Sequence, residues 1–204
     1  SFADVCEARD RLRYHQAVGA HGGGCWSVAA GDITRLSFAD NTFDLVICSE
    51  VMEHISEDGQ AAEELLRVVK PGGNLVVSVP RYFPEKICWQ LSSDYYSANG
   101  GHVRIYRRPR LQKLFEERGA RFWAAHFAHA IHTPYWWLKC WVGPNRSDSA
   151  AVNRYHRLLT WDIMEKPWIT RTLDRLLNPL MGKSLVLYFT KTKKEAPKIP
   201  EQGF

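Results

Sequence analysis

The apolar positions of this chain follow two periods, and the changes from one to the other mark out its elements. Residues 43–48 and 75–79 are short, nearly unbroken apolar runs. They predict parallel strands buried on both faces. Between them, residues 59–70 set Ala62, Leu65, Leu66 and Val69 on one helical stripe, which Pro71-Gly72 brings to a stop. Pro109, then Leu111, Leu114 and Phe115, then Gly119 predict a helix over residues 110–118. Residues 121–126 and 184–190 read as strands, the second alternating Leu185, Leu187 and Phe189 with Val186 and Tyr188. Upstream, residues 2–20 form a polar, helix-like run with Cys6, Leu12 and Val18 among many charges. Gly22-Gly23-Gly24 reads as a connection to a short strand at 25–29 that delivers Gly31-Asp32.

Strand, helix, strand in this order make half of an open α/β sheet. Its polar groups gather just beyond the carboxyl ends of the strands, where such sheets bind ligands. The strand Asp44-Leu45-Val46-Ile47-Cys48, the following Ser49-Glu50-Val51-Met52-Glu53-His54 and the Pro71-Gly72-Gly73 turn carry a resemblance. Over residues 25–126 the chain resembles class I S-adenosylmethionine-dependent methyltransferases, especially those related to ubiquinone and menaquinone biosynthesis. The fold expected is a Rossmann-like class I methyltransferase sheet lacking its first βαβ unit, with a helical, aromatic-rich insertion before the last, antiparallel strand. Such sheets normally begin with a strand, a Gly-x-Gly loop, a helix and a strand ending in an acid. That pattern is not found here, so the chain is expected to be an amino-terminal truncation short of about 50–60 residues.

The expected organisation is a partial cofactor-binding core over residues 1–126, an insertion over 127–183, a last core strand over 184–194 and a flexible tail over 195–204. The insertion holds five of the eight tryptophans, namely Trp136, Trp137, Trp141, Trp161 and Trp168, and carries eight basic residues against four acidic ones. It predicts two short amphipathic helices that either line a substrate pocket or cover the sheet edge. Aromatic side chains flanked by cations also suit an amphipathic substrate or peripheral contact with a membrane surface.

Composition changes little in this picture. A 45% hydrophobic, 24% charged chain is ordinary for a globular protein, and 204 residues are enough for a core without staples. The five cysteines form no Cys-x-x-Cys pair and read as reduced thiols of a cytoplasmic protein, with neither zinc nor disulfides indicated. No apolar run reaches 18 residues. The net charge of +5 comes without a basic helix stripe, which argues for a mildly basic surface rather than nucleic acid as partner. Nothing in the residues fixes an oligomeric state.

The resemblance implies S-adenosylmethionine as cofactor. Asp32 would accept a hydrogen bond from the adenine amine and Ile33 would pack on the ring, whereas Asp32 read alone is equally a turn or cap residue. The backbone of Ser49, Glu50 and Val51 would lie along the methionine portion. Glu50, Glu53 and His54 share a face if a helical turn begins there, and three readings stay open. His54 is a general base; or Glu50, Glu53 and His54 hold a divalent ion, Mg2+ suiting the oxygen ligands; or the group orients its loop. His102, in Gly101-His102-Val103-Arg104-Ile105-Tyr106, is the candidate further ligand or base, and Arg104 a candidate anchor for a substrate anion. His126, His129 and His132 recur at helical spacing and suit the wall of an aromatic pocket. The expected activity is O- or C-methylation of a small-molecule or lipid-like acceptor. The alternatives are a non-catalytic Rossmann-like interaction module and a metal-dependent RNA 2′-O-methyltransferase.

Overall fold

The structure, a computed structural model, describes residues 2–19, 22–97 and 101–193. Its centre is a four-stranded sheet of β1 (Phe43–Ser49), β2 (Val69–Pro80), β3 (Ala120–Ala128) and β4 (Ser184–Lys191) in the order β1-β2-β4-β3. β1 and β2 run parallel with Ser49 opposite Ser78, and β4 lies antiparallel to both its neighbours. The predicted antiparallel last strand is therefore present, seated in the middle of the sheet.

Helix α1 spans Phe2–Ala17, and α2 (Asp58–Val68) joins β1 to β2. After β2 come α3 (Tyr82–Leu91) and α4 (Ser93–Ser97), then α5 (Arg108–Glu116) leading into β3. The insertion between β3 and β4 folds as α6 (His132–Val142), α7 (Ala150–Glu165) and α8 (Trp168–Met181). The stripe of α2 did set its buried face, where Ala62, Leu65 and Leu66 meet Leu75, Val77, Leu111, Phe115 and Phe189 in the main core. The insertion has a smaller cluster of its own around Ile131, Tyr135, Val152 and Leu159.

Three expectations change. Residues 25–29 form no strand; the nearest extended pairing is an isolated bridge between Asp32 and Arg35. A strand exists through its ladder, and β1 pairs only with β2 among the described residues, leaving that segment no partner. For the same reason β1 is not buried on both faces: Leu45 and Ile47 are 52% and 64% exposed. The helix expected to run to residue 70 stops at Val68, and Pro71-Gly72-Gly73 does not end it but lies inside β2, which begins at Val69. The predicted tail at 195–204 lies outside the described residues.

Gly73 shows how tightly that passage is built. A Cβ there would stand 2.9 Å from the carbonyl oxygens of both Asp44 and Lys70. Gly73→Ala should destabilise by about 2 kcal/mol, because backbone rather than a pliable side chain must give way. Urea denaturation would read this as a lower midpoint at unchanged m-value.

Candidate active site

Where β1 ends, Glu50 takes a left-handed backbone, φ 52°, and so turns the chain sharply. Its N–H still donates to Ser78 O at 2.9 Å, and its Oε1 accepts from Ser78 Oγ at 2.8 Å. Ser49 Oγ lies 3.0 Å from the same hydroxyl. Two concavities are lined by residues of this turn. Gly31, Ile33, Ser49 and Val51 line an open, largely apolar groove of about 760 Å³. Glu50 faces a second cavity of about 540 Å³, lined also by Glu53, His54, Tyr95, His102, His129, His132, Trp136 and Lys183.

Asp32 stands exposed beside the first groove; its Oδ1 accepts from the N–H of Thr34 at 2.8 Å and its hydroxyl at 2.7 Å. These bonds, the backbone one foremost, hold its carboxyl below the usual range, so Asp32 stays ionised at neutral pH. Ile33 is half-buried against the core.

The second cavity brings together residues far apart in sequence. A 3-10 turn at Met52–His54 buries Glu53 to 1% exposure, with neither carboxylate oxygen hydrogen-bonded among the described residues. His54 Nδ1 is 3.3 Å from Gly101 O, and His102 Nδ1 is 2.5 Å from Glu85 Oε1. Both acceptors call for a proton on Nδ1, and Nε2 of both rings faces Glu53 Oε1, at 3.9 and 4.0 Å. The ligand atoms of Glu53, His54 and His102 all lie within 4.8 Å of one another. Burial, chiefly, pushes the Glu53 carboxyl up to about 7.

Glu85 was not singled out in the sequence. It is fully buried on α3 and accepts from His102, from Trp89 Nε1 at 3.2 Å, from Tyr95 OH at 3.4 Å and from the ammonium of Lys183. Burial alone would raise its pKa; the His102 hydrogen bond and the Lys183 charge outweigh that and hold it at about 2. His102 and Lys183, which set its charge state, lie 17 and 98 residues away, so no local spacing announces the group.

Other candidates fall elsewhere. Glu50 is not part of the three-residue cluster. Arg104 pairs with Asp58 at 2.5 Å and donates to Ser56 O at 2.7 Å, fastening its loop to the start of α2 rather than facing the cavity. His129 and His132 do line the cavity, while His126 stacks on Tyr188 of β4 with ring centroids 5.6 Å apart. His132 Nδ1 is buried without a hydrogen-bond partner among the described residues, and burial lowers its pKa.

Residues 5–77 match a family described as "Methyltransferase domain". An uncharacterized methyltransferase of Mycobacterium marinum is 26% identical over 164 residues, covering 80% of this chain and 61% of that protein. A demethylmenaquinone methyltransferase of Renibacterium salmoninarum is 53% identical over 49 residues, covering 24% of this chain and 21% of its own length. The chain spans between about half and three-fifths of the first such relatives. Among solved structures, the cyclase SpnF aligns with a TM-score of 0.54 at 18% identity over 94% of this chain and 64% of its own. A putative methyltransferase from Bacillus halodurans aligns at 0.51 and 18% over 86% and 77%. These two likenesses concern the fold.

Proposed function

We propose that this relative of the class I S-adenosylmethionine-dependent methyltransferases takes part in methyl transfer to a small-molecule or lipid-like acceptor. The observation carrying the proposal is the turn at Ser49-Glu50-Val51, where Ser49 and Val51 line the apolar groove and Glu50 between them lines the histidine-rich cavity. The residues present fit the adenosyl end of the cofactor. The groove is apolar enough for a flat ring, and the ionised Asp32 at its side can accept from an exocyclic amine. Bound there, the cofactor would supply an electrophilic methyl group.

The chain's own residues would position the acceptor and take its proton. Glu85 fixes the His102 tautomer and directs Nε2 into the cavity, so His102 is the base favoured by geometry, with His54 beside it. Tyr95, His129, His132 and Trp136 offer an aromatic wall to a planar or lipid-like acceptor. The insertion over residues 127–183 would then serve as the substrate-binding part of the molecule.

A second reading rests on the two orphaned oxygens of Glu53. Two imidazole nitrogens and a carboxylate oxygen that converge within 4.8 Å suit a divalent ion. Two nitrogen ligands favour Zn2+ or Mn2+ over Mg2+ in such a set. The ion would lower the pKa of an acceptor hydroxyl.

Calorimetric titration of S-adenosylhomocysteine tests the cofactor site: binding is expected, weakened about tenfold by Asp32→Ala. Absence of binding would favour a non-catalytic module. With demethylmenaquinone as the first acceptor, suggested by the name of one relative, His102→Gln should lower kcat by about 10²–10⁴-fold with little change in KM. An unchanged kcat would assign the His102 cluster to structure alone.

A further inference from the structure

Helix α8 is attached to the protein by its polar side. Asp174 Oδ1 accepts from Ile131 N at 3.1 Å and Asn178 Oδ1 from Ala130 N at 3.0 Å, and Arg81 donates to the carbonyl oxygens of Asn178 and Pro179. None of its residues is buried. Its apolar stripe of Ile169, Leu173, Leu176 and Leu180 points away from the protein, 57%, 45%, 68% and 71% exposed, with Trp168 at 75% leading it. Burying such side chains is ordinarily the main gain from forming an amphipathic helix, and here that gain has not been taken. Trp141, Trp161 and Met164 are exposed on the neighbouring helices, so more than a single stray side chain is uncovered.

Charge identifies the cover. Arg154, Arg157, Lys166, Arg171 and Arg175 of α7, α8 and their connection are all exposed. None of the five pairs with a carboxylate among the described residues. Of the three acids of α7 and α8, Asp162 is buried and Asp174 is turned to the Ile131 backbone, leaving Glu165 exposed. A second copy of the chain docking here would bring two such cationic surfaces together. An anionic surface neutralises them, and tryptophans settle readily where apolar and wet regions meet.

We infer that α8 is a membrane-docking helix that lies in the headgroup layer of an anionic bilayer, its Ile169–Leu180 stripe in the acyl boundary and its arginines among the phosphates. No described helix is long and apolar enough to cross a membrane, so the contact is peripheral.

Flotation of the chain with phosphatidylcholine vesicles, with and without phosphatidylglycerol, tests this without cofactor or acceptor, so the outcome is independent of catalysis. Co-flotation is expected with the anionic vesicles and weaker with the neutral ones. Leu176→Glu with Leu180→Glu should reduce partitioning at least about tenfold while leaving the circular dichroism intact. Ile47→Glu on β1 should leave partitioning unchanged. The inference is overturned by no binding to anionic vesicles or by binding insensitive to the α8 substitutions. A dimer in sedimentation equilibrium that the same substitutions dissolve, without lipid binding, would also overturn it.

Discussion

Replacing Glu85 with alanine is expected to destabilise the protein by about 3–5 kcal/mol, the largest effect of any single side chain at the candidate site. The carboxylate is fully buried and receives hydrogen bonds from four side chains. Removing it leaves the ammonium of Lys183, a residue only 8% exposed, without its counter-charge. Glu85→Gln keeps the shape and part of the bonding but loses the charge, and should fall between alanine and the native protein. Urea denaturation of the three proteins at pH 7 measures this order. Alanine and native proteins of equal stability would mean that Glu85 and Lys183 are solvated in solution, contrary to the structure.

The second large effect is a dependence of stability on pH in chelator-treated protein. Glu53, near 4.5 when unfolded, is pushed to about 7 in the fold, by burial first and also by the charge of Glu50. Below pH 4.5 both states hold the proton. As pH rises from about 4.5 to 7, the unfolded chain releases it while the folded one keeps it, so stability falls by about 3 kcal/mol across that window. Glu85 acts on the other side. Its folded value of about 2 contributes stability above pH 4.5, and this is lost as pH falls toward 2. Together the two groups place maximum stability near pH 4.5–5. Glu53→Gln should flatten the upper slope and leave the lower one. An upper slope that survives the substitution would refute the assignment to Glu53. Adding Zn2+ or Mn2+ to the native protein should abolish the upper slope if the three converging groups hold an ion, because the ligand carboxylate must then be deprotonated.

Much of the architecture could be read from patterning because the elements concerned bury one well-defined face. The α2 stripe and the alternation in β4 report directly on the core they build. The same logic missed α3, whose single turn of interest holds a buried acid where the pattern expects an apolar residue. It also assumed that apolar runs find cover, which fails at β1 and at α8. Glu53 and His54 were visible as chemistry-bearing types beyond a strand end, and His102 as one in the loop before α5. The supporting role of Glu85 and Lys183 was not, since it comes from two chain segments meeting only in the folded state.

The seat of β4 also bears on how the protein is made. Though last in sequence, it is the strand that joins β2 to β3, and among the described residues β3 has no other partner. On the ribosome, residues 120–128 must wait until residues 184–191 have emerged, a delay of roughly 3–12 s at common elongation rates. During that interval the nascent chain presents two unpaired strand edges and an insertion with nothing to close against. A trigger-type chaperone, or slow codons placed after β4 rather than before it, should therefore raise the yield of soluble protein more than changes within α1.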